Sequence, residues 1–388
     1  MARARRGCGC VLALFVLLLS AAGFLGYKFV YPWWKRKPPP PSGLELQVHV
    51  LDVGPINGDS ILIISPAGKA ALIDTGDTSK SKVVLEALKR NNVQQLDYFI
   101  ATHPHPDHIG GAAEVLKATK VLNVIDNGAD PSVPEDLKPP SKPATPLSKA
   151  KPKAKPTPAP PKRGKTQSVT KFYDDYKAAV EKSGANYSQA QPGTKLDLGG
   201  GALLTILGPT EPRFTKEQMK SGGNVPNANS VVVRLDYGDF SMLLPGDAEE
   251  QTEHRMVSKD LNLKAKVLKV AHHGSKYATS DDFIKRVAPE VAIVSCGEWN
   301  RYGHPAQVVL DRLQAAHVKL YRTDLQGEIT ITTRGRPNDY TIKTSKTATT
   351  DLWVGRMAQK DDSSRSGFIA YGDFGPPPKP KPEKKAQH

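Results

Sequence analysis

Cysteine is scarce in this chain, with three residues among 388. Cys8 and Cys10 lie beside an apolar run near the N-terminus, and Cys296 stands alone in the body. This distribution has neither the paired pattern of a disulfide framework nor the close pairs of a thiolate metal site. A disulfide-stapled fold and a thiolate zinc site are therefore excluded, and the body is compatible with any redox compartment.

Hydrophobic residues make up only 38% of the chain, and there are 33 prolines, so part of the chain is predicted to be linker. Acidic residues are missing from residues 1–38, which carry seven Lys/Arg. Residues 129–170 carry nine basic and three acidic residues, and residues 344–388 carry eight and five. These three segments contribute +16 to the formal net charge of +15, which leaves −1 for the rest. A groove for a phosphate backbone needs clustered basic residues on the folded body itself. The bulk charge is therefore weak evidence for nucleic-acid binding.

A single long apolar run occupies residues 11–27, with the sequence VLALFVLLLSAAGFLGY. With residues 29–31 it approaches the ~20 residues that cross a bilayer core. The basic flank before it favours an orientation with the N-terminus inside. We therefore predict a single-pass membrane anchor over residues 1–34 that places the body outside the cytoplasm. The alternative is a cleaved signal peptide with its cleavage site at Ser20-Ala21-Ala22, which would make the protein secreted.

Proline and lysine dominate three further segments. Residues 35–43 form a Pro-rich linker, residues 129–170 a Pro/Lys-rich insert, and residues 344–388 a basic Pro-rich tail. The insert and the tail have almost no large apolar side chains to offset the entropy of ordering, so both are predicted to be disordered. They serve as solvated spacers or, alternatively, attach the chain loosely to an anionic surface.

The remaining body, residues 44–343, alternates two patterns. Apolar stretches such as residues 44–53 and 96–102 predict strands, and amphipathic stretches such as residues 79–91 and 305–316 predict helices. Many strands with interleaved helices indicate a layered α/β body, formed by one domain with one insert.

The most informative stretch is THPHPDHIGG, residues 102–111, which follows an apolar strand pattern. It places His103, His105, Asp107 and His108 within six residues. The two intervening prolines remove backbone donors and are expected to keep the segment in an extended loop rather than a helix. Imidazole nitrogen and carboxylate oxygen are ligands of zinc and its neighbouring metals. Ligands at this spacing cannot all crowd one ion, so we expect His103 and His105 on one metal and Asp107 and His108 on a second.

This stretch resembles the HxHxDH signature of the metallo-β-lactamase superfamily. The resemblance continues upstream in VHVLDVGPINGDSILI and ALIDTG, and downstream in NANSVVVRLDYGDFSMLLPGDAEE, LKVAHHGSKYATS and NRYGHP. In that order the set is similar to the hydrolase domain of the ComEC-type DNA-uptake competence proteins, over about residues 45–333. The resemblance implies a four-layer αββα metallo-β-lactamase sandwich, here preceded by the N-terminal transmembrane helix.

The same resemblance implies the following metal ligands: His103, His105, Asp107, His108, Asp247 as a bridge, and either His272 or His273. We prefer His272, because it directly ends an apolar strand pattern, and His273 would then line the site or contact substrate. Asp74 is expected to hold a ligand histidine through its other ring N–H. His304 is expected to protonate a leaving group or contact substrate, and Asp107 to take up a proton during turnover.

One feature departs from the wider superfamily, whose members usually supply a further histidine to the first metal before the bridging aspartate. No histidine occurs in residues 109–246. Asn227, Asn229, Ser230 or water is therefore expected to complete that site. The cofactors are two divalent ions, with Zn²⁺ favoured and Mn²⁺ as the alternative.

The expected reaction is hydrolysis. Water between two cations loses a proton readily, since a single zinc brings its pKa to roughly 7, and the bridging hydroxide then attacks an electrophile. Two-metal sites suit in-line displacement at phosphorus, and the resemblance points to a branch with a proposed nuclease activity. We therefore favour a phosphodiester or phosphate ester, including nucleic-acid-like substrates. The alternatives are a hydrolase of a carboxylic ester, lactam or thioester, and a degenerate, non-enzymatic binding module.

Overall fold

A computed structural model of the protein describes residues 45–53, 57–131, 169–219, 224–298, 300 and 302–356. The predicted anchor, the Pro-rich linker, and most of the insert and of the tail lie outside these residues. Among the described residues, no helix is both long enough and apolar enough to cross a membrane.

Fifteen strands run through the described part of the chain. They are β1 (Leu46–Val50), β2 (Ile61–Ile64), β3 (Ala70–Ile73), β4 (Gln95–Ala101), β5 (Lys120–Asp126), β6 (Asn186–Gln189), β7 (Lys195–Gly199), β8 (Ala202–Ile206), β9 (Val233–Tyr237), β10 (Phe240–Leu244), β11 (Val267–Lys269), β12 (Val291–Val294), β13 (Lys319–Arg322), β14 (Ile329–Thr333) and β15 (Tyr340–Thr344). They form an eight-stranded sheet in the order β15-β14-β1-β2-β3-β4-β5-β6 and a seven-stranded sheet in the order β13-β12-β11-β10-β9-β8-β7.

The helices of the same residues lie between these strands in the chain. They are α1 (Ser81–Arg90), α2 (Pro106–Ile109), α3 (Ala112–Ala118), α4 (Val169–Ser183), α5 (Val225–Ala228), α6 (Glu250–Ser258), α7 (Asp281–Val287), α8 (Gln307–Ala315) and α9 (Thr323–Gln326). Short 3-10 turns lie at Thr78–Lys80, Lys216–Gln218 and Ala271–Gly274.

The two sheets pack face to face and helices cover their outer faces. On β2, Ile61 and Ile63 point into the core between the sheets, whereas Leu62 packs under α1, α3 and α4. On β10, Met242 faces the inner core and Leu243 packs under α6 and α7. Because successive side chains of a strand point to opposite faces, strands buried on both sides become continuously apolar. This arrangement confirms the predicted two-sheet α/β sandwich.

The sequence patterns missed three strands, β6, β7 and β15. Each lies at the end of a sheet, and all four residues of β6 are exposed. An edge strand packs fewer side chains into the core, so it lacks the apolar run that identified the central strands. The helices predicted at residues 79–91 and 305–316 are present as α1 and α8.

The folded body extends beyond its predicted end at residue 343. Leu352 and Trp353 pack against the core beneath α8, and the guanidinium of Arg322 donates hydrogen bonds to the carbonyls of Leu352 and Val354. At the insert, helix α4 already begins at residue 169. The predicted disorder of the insert and tail falls on residues 132–168 and 357–388, outside the described residues, and stays a prediction.

The expectation that residues 103–108 form only an extended loop was wrong in its second half. His105 has extended backbone angles, but Pro106 begins the one-turn helix α2. Proline is well suited to the first helical position, because its fixed φ is helical and its missing N–H needs no partner there. The turn directs Asp107 and His108 inward, and both are buried.

Candidate metal centre

The site lies at one edge of the sandwich, where the carboxyl ends of parallel strands meet. Asp74 and His103 follow the parallel strands β3 and β4, and Asp247 and His272 follow the parallel strands β10 and β11. The backbone N–H of His272 donates to the carbonyl of Gly246, which ties these last two loops together. Ligands in open α/β sheets bind at this kind of edge. The fold thus brings side chains as far apart as His108 and His273, separated by 165 positions, within 3.3 Å of each other.

One carboxylate oxygen occupies the middle of the cluster. Asp247 Oδ2 lies 3.8 Å from His103 Nε2, 3.4 Å from His108 Nε2, 3.7 Å from His272 Nε2 and 3.5 Å from His273 Nε2. The other oxygen, Oδ1, is buried without a hydrogen-bond partner. Imidazole nitrogen and carboxylate oxygen together form a donor set that suits divalent cations such as Zn²⁺.

Asp74 contacts one of the predicted ligand histidines, His108. Its Oδ2 is 2.7 Å from His108 Nδ1 and accepts a hydrogen bond of 2.7 Å from the hydroxyl of Thr102. That hydroxyl in turn lies 3.0 Å from His103 Nδ1, so it can accept from this ring. Asp74 therefore orients His108 directly and His103 through Thr102. In both rings the Nδ1 side is engaged outside the centre, and Nε2 lies on the side of Asp247 Oδ2.

His273 is oriented in the same way. Its Nδ1 lies 2.8 Å from the carbonyl oxygen of Ser295, and its Nε2 lies 3.7 Å from Asp107 Oδ2. Ligand atoms of Asp107, His108 and His273 lie within 4.8 Å of one another, as do those of His103, His108 and Asp247. These groups include His273; His272, the preferred ligand in the sequence, is not among them.

The backbone explains how two residues adjacent in the chain both reach the site. His272 and His273 both have left-handed backbone angles, with φ of 47° and 54°. In a continuing strand, neighbouring side chains would point to opposite faces. The left-handed turn instead directs both imidazoles towards Asp247, and the deeper position falls to His273. Such strain in non-glycine residues concentrates at functional sites.

The charged groups of the cluster compensate one another. Burial alone would lower the pKa of His273, but the carboxylates of Asp247 and Asp59 raise it to about 9. Burial lowers the pKa of His103 and of His105, which keeps both rings neutral at pH 7, the form in which imidazole binds a metal. Burial would raise the pKa of Asp247, but His273 and His108 hold it well below its usual range. In the absence of a cation, protonated imidazoles therefore balance the negative charge of the buried carboxylates.

His304 joins the site from a distant loop. It is buried, its ring centroid lies 5.4 Å from that of His272, and its Nδ1 lies 3.2 Å from the side-chain amide nitrogen of Asn57. Because that amide donates to Nδ1, the ring hydrogen sits on Nε2. Burial lowers the pKa of His304 well below its ordinary value. The ring is therefore a neutral hydrogen-bond donor at the edge of the cluster.

The three candidates for the missing ligand of the first metal have different surroundings. Asn229 is engaged by the backbone of Phe214, to which it both donates and accepts at 2.9 Å. Ser230 Oγ accepts from the N–H of Asp247 and lies 3.4 Å from His103 Nδ1, so it supports ligands rather than facing the centre. The side-chain nitrogen of Asn227 lies 3.3 Å from His272 Nε2.

Sequence reasoning missed three buried charged residues at the site. Lys269 is fully buried, forms an ion pair with Asp59, and its Nζ lies 4.0 Å from Asp247 Oδ1. Glu249 is also buried, with Oε1 3.9 Å from His272 Nδ1. A lysine inside the apolar strand VLKV was the available signal, since lysine is almost never fully buried unless it is paired.

Comparison with known proteins agrees with this geometry. A family model described as the metallo-beta-lactamase superfamily matches residues 53–179, which include the predicted ligands in residues 103–108. ComE operon protein 3 of Bacillus subtilis (strain 168) is 28% identical over 315 residues, which are 77% of this chain and 34% of that protein. Competence protein ComA of Neisseria gonorrhoeae is 27% identical over 316 residues, 81% of this chain and 34% of that protein. The chain thus spans about a third of the length of these curated relatives.

Among solved structures, a metallo-beta-lactamase with a HARLDQ motif from Cronobacter sakazakii is 16% identical, with a TM-score of 0.33. The match covers 56% of this chain and 76% of that one. From the family match and the curated relatives, the chain carries a metallo-β-lactamase domain and is a homologue of the ComEC-type competence proteins.

Proposed function

We propose that the chain is a two-cation hydrolase of phosphodiester or phosphate-ester bonds, acting on nucleic-acid-like substrates. The observation that carries this proposal is the single Asp247 oxygen placed 3.4–3.8 Å from the Nε2 atoms of four histidines. The proposed ligands of the two cations are His103, His105, Asp107, His108, His273 and the bridging Asp247.

The donor set fits divalent cations for a reason that does not depend on the family. His108 and His273 each engage Nδ1 with an acceptor outside the cluster and turn Nε2 towards Asp247. Metal-ligating histidines show this division of roles, because the outer hydrogen bond fixes the tautomer. In addition, Asp247 Oδ1 is buried with no hydrogen-bond donor, an arrangement that is costly without a cation. Zn²⁺ suits imidazole and carboxylate, and Mn²⁺ is the alternative.

Bound cations would supply Lewis acidity and a nucleophile derived from water at neutral pH. The chain's own residues would supply orientation and hydrogen bonds. Asp74 fixes the ligand rings through His108 and Thr102. His304, which presents Nε2–H, would donate a hydrogen bond to a leaving oxygen, and Asp107 would accept a proton.

Two features support a nucleic-acid-like substrate. Tyr302 is 44% exposed and stacks on His304, with ring centroids 5.7 Å apart. Tyr277 is 45% exposed and follows the His272–His273 turn in the chain. Exposed aromatic rings near a catalytic centre offer platforms on which bases stack. The name of one curated relative, competence protein ComA of Neisseria gonorrhoeae, adds a second, independent reason.

A substrate screen of the full chain, purified with detergent, tests this proposal. We expect Mn²⁺ or Zn²⁺ to support cleavage of a bis-aryl phosphate and of single-stranded DNA, and Asp247→Asn to lower kcat/KM by more than about 100-fold. Asp239→Asn, an exposed aspartate on the turn between β9 and β10, is the matched control and should leave the rate unchanged.

Two outcomes would contradict the proposal. Cleavage of a carboxylic ester, thioester or lactam, without any phosphodiester cleavage, would select the alternative hydrolase class. Metal analysis that finds well under one equivalent per chain would instead indicate a non-enzymatic binding module.

We also infer that residues 1–34 anchor the chain in a membrane as a single span, with the hydrolase domain outside the cytoplasm. The apolar run at residues 11–27 and its basic N-terminal flank support this inference. Carbonate extraction and protease accessibility of sealed cells test it. Release of a shortened chain into the medium would indicate a cleaved signal peptide. The basic insert and tail would contact anionic surfaces, and weaker binding to DNA after deletion of residues 132–166 would support that role.

A further inference from the structure

Under the proposed function, the first cation is short of protein ligands. His103, His105 and the bridging Asp247 are available to it, and no histidine occurs in residues 109–246. His272, meanwhile, has no role once His273 serves the second cation. Its Nε2 lies 3.7 Å from Asp247 Oδ2, almost the same distance as that of His273, 3.5 Å.

The backbone turn gives the two neighbours equal access to the bridging carboxylate from different sides. Left-handed angles at both residues direct both rings inward, although they are adjacent in the chain. The ring centroids of His272 and His273 are nevertheless 6.2 Å apart with a 70° angle between their planes. Two rings so separated around one carboxylate oxygen are placed for two different cations rather than one.

His272 also has the outer carboxylate that a ligating histidine needs. Its Nδ1 is buried without a hydrogen-bond partner and lies 3.9 Å from Glu249 Oε1. The Glu249 carboxylate is itself fixed, because its Oε2 accepts hydrogen bonds from the side chain of Gln251 at 2.9 Å and the backbone of Asn224 at 3.3 Å. Carboxylate–histidine–metal arrangements orient ligand rings in metal sites. Glu249 is thus a fixed carboxylate on the outer side of His272, at 3.9 Å from Nδ1, whereas Asp74 lies at the shorter distance of 2.7 Å from His108 Nδ1.

We propose that the adjacent histidines are divided between the two cations. His272 completes the first cation's ligand set beside His103 and His105, and His273 completes the second beside Asp107 and His108. Glu249 is the positioning residue for His272. This division rests on the proposed two-cation function and fills its ligand gap with a residue from beyond the bridging aspartate.

Metal stoichiometry of the full chain, measured by equilibrium dialysis and elemental analysis with Mn²⁺ or Zn²⁺ alone, tests the division. Wild type should bind two equivalents, and His272→Ala and His273→Ala should each bind about one. Combination with Asp107→Asn, which removes a ligand of the second cation, then separates the two roles. The double variant with His272→Ala should bind almost none, whereas the double variant with His273→Ala should still bind one. If the alanine variants fail to fold by circular dichroism, His272→Asn and His273→Asn give the same comparison.

Two outcomes overturn the division. Two equivalents retained by His272→Ala would make His272 a substrate-side group. The reversed pattern in the double variants would assign both histidines the other way. The wild-type stoichiometry separates this failure from failure of the proposed function. If wild type binds two cations and the variants give either result, only the division fails. If wild type binds fewer than two, the proposed two-cation function itself fails.

The role of Glu249 has its own readout. Glu249→Gln should lower the affinity for one of the two cations by roughly 10–100-fold, the loss typical of removing an outer partner of a ligand histidine. The weakened cation should be the one that remains in His273→Ala. Glu250→Gln, the next residue along the chain and solvent-facing, is the matched control and should leave both affinities unchanged. Unaltered affinity in Glu249→Gln would remove Glu249 from the proposal.

Discussion

Replacing Lys269 by methionine removes a buried cation and leaves its neighbours almost in place. Lys269 is fully buried and pairs with Asp59, of which only 2% of the side chain is exposed. Its Nζ also donates to the carbonyl of Gly246 at 3.3 Å and lies 4.0 Å from Asp247 Oδ1. Burial would raise the pKa of Asp59, but the charges of Lys269 and His273 lower it below its usual range. The substitution therefore leaves the Asp59 carboxylate buried without Lys269, one of the two partners that keep it ionised.

Removing one partner of a buried ion pair costs about 3–5 kcal/mol, because the remaining charge is buried and uncompensated. At about 2–3 °C per kcal/mol for a domain of this size, Lys269→Met should lower Tm by roughly 5–15 °C. Adding a second substitution, Asp59→Asn, removes the uncompensated negative charge. The double variant should therefore recover at least ~2 kcal/mol of that loss, since replacing both partners of a buried pair is often nearly neutral.

Thermal or urea unfolding, followed by circular dichroism in the presence of a chelator, measures both changes. The chelator is needed because a bound cation adds its own stabilisation. Lys264→Met, at an exposed lysine shortly before β11, is the matched control and should stay within about 0.5 kcal/mol of wild type. A loss below about 1 kcal/mol in Lys269→Met, or no recovery in the double variant, would refute the reasoning that this pair offsets its own burial.

Three further outcomes are expected. Asp74→Asn should lower metal affinity by roughly 10–100-fold, because it disturbs the hydrogen bond that orients His108; equal affinity in a metal titration would contradict this. Saturation with Mn²⁺ or Zn²⁺ at about 100 times Kd should stabilise the chain by about 2.7 kcal/mol per site, and a chelator should reverse the shift in Tm. Partial burial alone would raise the pKa of Glu328, but its hydrogen bond to His49 and the charge of Arg90 lower it below 4.5. A lowered pKa gives stability that is present above the unfolded value and lost as pH falls through the folded one. Glu328→Gln should therefore have a lower free energy of unfolding than wild type at pH 7, and the difference should shrink below pH 4.5. A difference that increased below pH 4.5 would contradict this reasoning.

Local spacing made the first half of the site readable from sequence. His103, His105, Asp107 and His108 lie within six residues after a strand, so any fold that ends the strand there gathers them. Asp74 and Asp247 were identified through resemblance, and the structure places both beside these residues. The apolar runs of the central strands likewise predicted the two-sheet body, because burial on both faces leaves a direct trace in the sequence.

Tertiary structure decided what local pattern does not encode. Which of His272 and His273 lies deeper depends on two left-handed backbone positions, and a strand pattern carries no signal of φ. The pairing of Lys269 with Asp59, 210 positions away in the chain, depends on how two sheets face each other. The edge strands, too, were visible only once their neighbours were in place. The sequence by itself determined the kind of chemistry, since that depends on residue types at short spacing. Three-dimensional packing determined the role of each residue, since a side chain's direction and burial depend on contacts between distant parts of the chain.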